Sequence, residues 1–227
     1  MIKELNWDSE FFNYKIGEWN AEGNLNADPA TFDLVYVKSK DPIAHQLTGF
    51  RPVFSETRVI FAKQLTGQPA VSKNVRSVTE QDDINRLYQL AYESGKYSRF
   101  KLDERFGKEK FELLYRAWVD NSLSHRFADD VIVYTEDSLI IGFASYKKHA
   151  GFAEIGLIAV APGHQGKGIG KKLLYYIESV LISKGVIDLR IPTQLENNPA
   201  CAFYSKLEYK IVETIYIKHY WKINDTL

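Results

Sequence analysis

The stretch VAPGHQGKGIGKKLL, residues 160–174, sets the strongest limit on what this chain can fold into. It places four glycines and three lysines between an apolar run and a run with helical periodicity. Glycines at such a junction let the backbone approach a partner closely, and N–H groups at a helix start attract anions. Spacing excludes two familiar phosphate cradles. A nucleoside-triphosphate loop requires G-x-x-x-x-G-K-[ST], and counting from Gly163 the lysine position holds Ile169. A dinucleotide-binding turn requires G-x-G-x-x-G, whereas Gly166, Gly168 and Gly170 follow G-x-G-x-G. What is left is an anion cradle of another kind, or a glycine-rich turn with no ligand.

The flanks predict a strand–turn–helix unit. AEIGLIAVA (153–161) is apolar enough for a strand buried on both faces. Beyond the glycines, Ile169, Leu173, Ile177, Val180 and Leu181 recur at helical spacing until Gly185 stops them. VIDLRIPT predicts another strand, residues 197–207 a short helix, and YKIVETIYIKHYW a closing strand. Upstream, Thr79 with Asp82 resembles a capping box opening a helix through Leu87, Leu90 and Ala91. A second helix is expected over about 107–124, with Phe111, Leu114, Tyr115, Trp118 and Leu123 along one side. VIVYTEDSLIIGFASY reads as two strands around a short turn. Hairpins first and a strand–helix–strand crossover later make an α/β chain with a partly parallel sheet.

QLTGQPAVSKN (64–74) is the best linker candidate, so residues 1–65 and 75–227 are expected as two blocks joined through 66–74. The blocks echo one another. DLVYVKSKDPIAHQLTGFRPVFSETRVIFAK and DLRIPTQLENNPACAFYSKLEYKIVETIYIK both open on Asp-Leu and carry Glu-Thr in the last strand. The pattern predicts strand, short helix and strand in each, either as a degenerate half-repeat or as a coincidence of short motifs.

Composition removes several classes of function. Lys plus Arg and Asp plus Glu are both 29, so no basic excess serves a nucleic acid or an acidic membrane. Cys201 is the single cysteine, which rules out an intramolecular disulfide and a cysteine-based metal site. The five histidines, His45, His125, His149, His164 and His219, show no ligand-like pairing, so no metal is expected. No apolar run reaches about 18 residues, and MIKELNWDSEFF carries acids and no signal-peptide core. These features lead to the expectation of a soluble, cytoplasmic protein. A homodimer is one assembly open to it.

Gln165-x-x-Gly168-x-Gly170 between a strand and an amphipathic helix resembles the acyl-CoA-binding motif [QR]-x-x-G-x-[GA] of the GCN5-related N-acetyltransferase (GNAT) superfamily. Asn197, Ala200 and Tyr204 follow that superfamily's N-x-x-A-x-x-x-Y spacing. Glu208 departs from it, standing where the family has Gly before an aromatic, while the N-terminal echo keeps Gly49 and Phe50. LNWDSEFFNYKIG, YSRFKLDERF, FELLYRAWVDNSL and TQLENNPACAFY further resemble the dTDP-fucosamine acetyltransferases within the superfamily. Members of that group acetylate the 4-amino nitrogen of dTDP-4-amino-4,6-dideoxygalactose and carry a partial acetyltransferase fold at the N-terminus.

The resemblance implies a GNAT fold, a mixed and mostly antiparallel sheet with flanking helices, plus an N-terminal partial GNAT-like domain. It implies acetyl-CoA as cosubstrate and a nucleotide-linked amino sugar as partner. Gln165, Gly166, Lys167, Gly168, Ile169, Gly170 and Lys171 would surround the CoA pyrophosphate, with Lys172 adding charge. Backbone groups of Ile158, Ala159 and Val160, with Asn197 and Ala200, would hold the pantetheine arm. Tyr204 resembles the acid that reprotonates the CoA sulfur; a buried core tyrosine is the other reading of it. Glu154 stands where histone-type members carry a base, acting directly or through water, or else is an exposed strand residue. Ser98, Arg99 and Phe100 are expected near the acceptor, and Trp7, Phe11 and Phe12 along its sugar or base. Peptide N-termini or other small amines as acceptors, and a non-catalytic acyl-CoA-binding module, fit the same scaffold.

Overall fold

A computed structural model describes residues 2–23 and 29–223. The N-terminal block gives β1 (Lys3–Glu4), α1 (Asn6–Phe12), β2 (Ile16–Asn20), β3 (Leu34–Ser39) and β4 (Phe50–Gln64). After it come β5 (Val75–Ser77), α2 (Ile84–Ser94), α3 (Arg99–Leu102), α4 (Gly107–Leu123), β6 (Asp130–Glu136) and β7 (Leu139–Lys148). The last third holds β8 (Ala153–Val160), α5 (Ile169–Ser183), β9 (Asp188–Gln194), α6 (Asn198–Lys206) and β10 (Lys210–Lys222).

All ten strands form one sheet in the order β1-β2-β3-β10-β4-β9-β8-β7-β6-β5. Among the described residues only β2–β3 and β8–β9 pair in parallel. From β1 to β7 the kinds of pairing read the same from either end, about a centre where Arg58 on β4 faces Ile215 on β10. The two Glu-Thr motifs lie symmetrically about that centre, with Glu56 opposite Ile217 and Glu213 opposite Ile60. Each block sends its last strand across the middle, so β4 lies between β9 and β10 and the sheet runs unbroken through both. Residues 66–74 carry no helix or strand and lead from β4 to β5.

Three local expectations need correction. The Thr79–Asp82 box closes a turn, not a helix, because Asp82 accepts from both Arg76 Nη1 and Nη2 (2.7 and 2.8 Å) as well as from Thr79. The cap of α2 is Asp83, whose side chain accepts from the Asn85 N–H at 2.9 Å. The short helix expected between the strands of the N-terminal echo is absent, since residues 40–49 from β3 to β4 contain none. Strand β8 is buried on alternate residues only: Ala153, Ile155, Leu157 and Ala159 are buried, while Glu154, Gly156, Ile158 and Val160 are more open. A strand apolar but for Glu154 and Gly156 read as doubly buried because its open side borders a cleft rather than bulk water.

The turn into β10 keeps its shape without glycine. Glu208 adopts φ 68°, the left-handed region, matching Gly49 (φ 78°) before β4. Holding a non-glycine residue there costs roughly 1–2 kcal/mol. An aromatic cluster cements the two blocks: Phe12 on α1 packs on Phe100 and Phe106 (centroids 5.6 and 4.6 Å), and Phe106 on Trp221 of β10 (5.6 Å).

Candidate active site

Strands β8 and β9 pair over two residues only, Ala153 with Leu189 and Glu154 with Arg190, and then diverge. A bulge accompanies the divergence. The β7–β8 register slips between Ala144 and Tyr146, and the Leu157 N–H donates to Ser145 Oγ at 3.0 Å. Bulges bend a strand and raise its twist, which turns β8 away from β9 and leaves the facing edge of β8 without a strand partner. The wedge opens into a cleft of about 1000 Å³, walled by Glu154–Val160 on one side and Ile191–Gln194 on the other.

The glycine turn closes one end of this cleft. Gly166 and Gly168 have φ of 78° and 75°, and no atom lies within 4 Å of where a Cβ would project from either. Gly168 is the N-cap of α5 and supplies no side-chain acceptor, so the first N–H groups of a 15-residue helix are uncapped at the cleft. Gly170 serves packing instead: a Cβ there would meet the Phe203 ring of α6 at 3.0 Å. Gln165 ties the turn down, its Nε2 donating to the Val160 carbonyl (3.0 Å) and to Glu93 Oε1 (3.1 Å). Lys171 lines the cleft, whereas Lys172 reaches Tyr134 Oη at 3.3 Å instead.

Helix α6 closes the same wall. Asn197 caps it through Oδ1, which accepts from the Ala200 N–H at 3.3 Å, and both residues line the cleft. Tyr204 lies one and two turns further on, 4% exposed, with its ring against Phe61 (5.5 Å) and Phe203 (5.3 Å). Burial pushes its hydroxyl far above the ordinary tyrosine pKa, so it stays protonated. The nearby thiol of Cys201 is raised by burial as well, and it points to the Gln194 and Leu195 carbonyls (3.5 and 3.7 Å) rather than lining the cleft.

The opposite end is built by both blocks. Trp7, Ser98, Arg99 and Phe100 lie on its wall. The Arg99 guanidinium lies over the rings of Tyr36 (4.3 Å) and Phe100 (4.8 Å), and its Nη1 has no hydrogen-bond partner among the described residues. Phe11 and Phe12 do not line this cleft. Phe12 is 1% exposed in the aromatic cluster, and Phe11 stacks behind Trp7 at 4.9 Å. Lys167 likewise lies off the cleft lining.

Sequence reasoning missed Asp8, Glu56, Arg58, Tyr115, Trp118 and Phe127, which complete this end. Glu56 and Arg58 alternate with Thr57 and Val59 along β4, a pattern that reads as a solvent face. Burial raises the Asp8 and Glu56 carboxyls and lowers Arg58, with Arg99 acting on all three. Glu154 stands on β8 opposite Lys147 and Arg190 and is half-exposed. Among the described residues no group of three His, Cys, Asp or Glu could hold a metal ion, and no helix is long and apolar enough to cross a membrane.

Beneath Arg99 lies a buried polar pair. His219 Nδ1 bonds Asp103 Oδ2 at 2.6 Å, Trp221 Nε1 donates to the same oxygen at 2.9 Å, and the imidazole packs on Tyr36 at 4.6 Å. Burial holds His219 down to about 4, against the pull of Asp103. Burial favours protonation of Asp103, but the His219 and Trp221 hydrogen bonds keep its carboxyl below the ordinary value. In the unfolded chain a histidine titrates near ~6.5. Between those values the unfolded state binds the extra proton, so stability is present above about pH 6.5 and is lost as pH falls toward 4. Urea unfolding at pH 7 and 4.5 should show an acid loss about 2 kcal/mol smaller in His219→Gln than in the parent. Identical losses would mean that folding leaves the imidazole's proton affinity unchanged.

A splayed parallel strand pair and an uncapped helix start behind a glycine turn are features of an acyl-transferring fold of the coenzyme A type. The model of the acetyltransferase (GNAT) family matches residues 83–209, and the chain belongs to that family. It is an acetyltransferase of the GNAT type, with the mixed sheet and flanking helices of that fold. The spermidine N(1)-acetyltransferase of Thermoplasma acidophilum is 26% identical over 59% of this chain and 86% of its own length. The spore coat polysaccharide biosynthesis protein SpsD of Bacillus subtilis is 24% identical over 63% of this chain, which spans 49% of SpsD. Among solved structures, the GCN5-related N-acetyltransferase of Sphaerobacter thermophilus superposes with a TM-score of 0.54 at 19% identity, covering 86% of this chain and 62% of that one. GNAT-fold acetyltransferases use acetyl-CoA, and the features of this cleft fit it. The two left-handed glycines leave room for a pyrophosphate against free N–H groups, and the unpaired β8 edge offers main-chain groups to an extended arm.

Proposed function

We propose that this protein moves the acetyl group of acetyl-CoA to the 4-amino nitrogen of a dTDP-linked 4-amino-4,6-dideoxyhexose. The observation that carries this reading is the acceptor end of the cleft. It combines exposed aromatic rings (Trp7 at 43%, Phe127 at 45%) with two guanidiniums, Arg58 and Arg99, and is assembled from both blocks of the chain. Rings can stack on a nucleobase, guanidiniums match phosphate oxygens, and the carboxylates between them can meet an amine. The likeness to SpsD, a protein of polysaccharide biosynthesis by name, is in keeping with a sugar acceptor.

On this reading the N–H groups from Gly166 to Lys171 hold the pyrophosphate. The β8 edge at Ile158–Val160, with Asn197 and Ala200, orients the pantetheine. Tyr204 gives its proton to the sulfur as the C–S bond breaks. A nucleotide remote from the reacting amine supplies binding energy that orients that amine.

A second reading, acetylation of a polyamine, is favoured by the spermidine acetyltransferase relative and by the carboxylates Asp8, Glu56, Glu93 and Glu154 along the cleft. Turnover of acetyl-CoA with the dTDP-amino sugar, the same sugar without its nucleotide, spermidine and a peptide N-terminus decides between them. The nucleotide-linked sugar should be acetylated at least about tenfold faster than the others. Arg99→Ala should raise its KM about tenfold while leaving that of acetyl-CoA within about twofold. Equal rates on the free sugar, or a preference for spermidine or the peptide, would replace this reading with the second one or with a peptide acceptor. Point substitution is the proper probe of the N-terminal block, because truncating residues 1–65 would remove β4 from between β9 and β10.

A further inference from the structure

The N-terminal block brings to the cleft one group that has no chemical step assigned to it above. Glu56 projects from β4 into the acceptor end, is 7% exposed, and its Oε2 has no hydrogen-bond partner among the described residues. A buried carboxylate oxygen left unpaired costs several times an ordinary hydrogen bond, so such groups in native sites have a use. Beside it, Arg99 Nη1 is a buried donor that is also unpaired. One orphan acceptor and one orphan donor at the same end of the cleft match a molecule bearing an ammonium next to an oxygen.

We propose that Glu56 is the acceptor-site base of this acetyltransferase, holding the substrate ammonium and taking its proton directly or through one cleft water, while Arg99 holds the oxygen on the neighbouring carbon. The inference rests on the sugar reading for the identity of that oxygen, but not for the base. Glu56 as carboxylate receives one proton from R–NH3⁺ and becomes the acid, leaving a neutral R–NH2. The nitrogen lone pair then forms the N–C bond at the thioester carbonyl, and the C–S pair leaves as thiolate. Tyr204 protonates the sulfur, the second nitrogen proton passes through cleft water to restore Tyr204, and Glu56 releases its proton to solvent. The sum is R–NH3⁺ plus acetyl-CoA giving amide, CoA thiol and one proton.

The neighbours of Glu56 suit the task. Arg58 follows it on β4, Arg99 approaches from α3, Tyr115 from α4 and Glu196 from the loop after β9. Burial raises its carboxyl above the ordinary value, opposed by the Arg99 and Arg58 guanidiniums and by a hydrogen bond from the Arg99 backbone. Of the other carboxylates along the cleft, Glu154 on β8 is half-exposed, so it meets an ammonium in a less desolvated setting than the buried Glu56.

The test uses Glu56→Gln in the full chain with whichever amine the parent acetylates fastest. At pH 7 its kcat/KM should fall at least about 100-fold, with acetyl-CoA affinity by calorimetry within about threefold of the parent. Its rate should then climb about tenfold per pH unit up to the pKa of the amine, closing the gap to the parent, because only free base reacts. Glu56→Asp should recover part of the loss if the carboxylate is what counts. A deficit equal at every pH would make Glu56 structural, and a loss confined to Glu154→Gln would move the base to β8. Turnover of spermidine but not of nucleotide sugars would end the sugar reading, and the same pH series with spermidine would still decide the role of Glu56.

Discussion

Tyr204→Phe should lower kcat by about 10²–10⁴-fold while leaving acetyl-CoA affinity within about threefold of the parent. The substitution removes one hydroxyl and keeps the ring, so the packing against Phe61 and Phe203 survives. What is lost is a proton at the end of the cleft where α6 meets the β8–β9 wedge. Burial holds that hydroxyl protonated through the whole working range of pH, the state an acid for a departing thiolate needs. A thiolate leaving unprotonated in a desolvated cleft is costly, and the cost falls on the transition state and not on the bound ground state. Single-turnover rates measured beside CoA affinity will separate the two. Turnover at the parent rate would return Tyr204 to the core, the alternative its 4% exposure keeps open on packing grounds alone.

Gly168→Val should weaken acetyl-CoA binding by at least about 100-fold and lower Tm by only several degrees. Gly168 sits at φ 75°, where a β-branched residue is strained by roughly 1–2 kcal/mol, worth about 2–4 °C per kcal/mol in a chain of this size. No neighbour lies within 4 Å of the added Cβ, so the protein itself makes room. The new side chain instead fills the space before the free N–H groups of α5, where a pyrophosphate would sit. Calorimetry with CoA and a thermal melt of the same sample give both numbers. Unchanged affinity would remove the cradle from this turn. Gly170 carries a different burden, since its hydrogen lies against Phe203, and changes there would act through the packing of α5 on α6.

The sequence by itself determined the strand–turn–helix unit, because glycines with left-handed backbone and a helical repeat leave local marks that need no distant partner. It also carried Gln165, Gly168, Gly170, Asn197 and Tyr204, whose spacings follow from turns of single helices, and it marked the Glu-Thr echo that ends on either side of the Arg58–Ile215 centre. Where a side chain depends on a partner far along the chain, the sequence was silent or misleading. Phe12 is as aromatic as Trp7, but five positions along α1 set it roughly 140° around the helix, into the core against Phe106, and leave Trp7 on the cleft. Asp82 looked like a helix cap until Arg76 claimed its carboxylate. Glu56 and Arg58 alternated like a wet strand face and became cleft walls only because β4 crosses into the other block between β9 and β10. Local periodicity records which way a residue faces within its own element; what stands on that face is decided by strand order, and strand order is set by the whole chain.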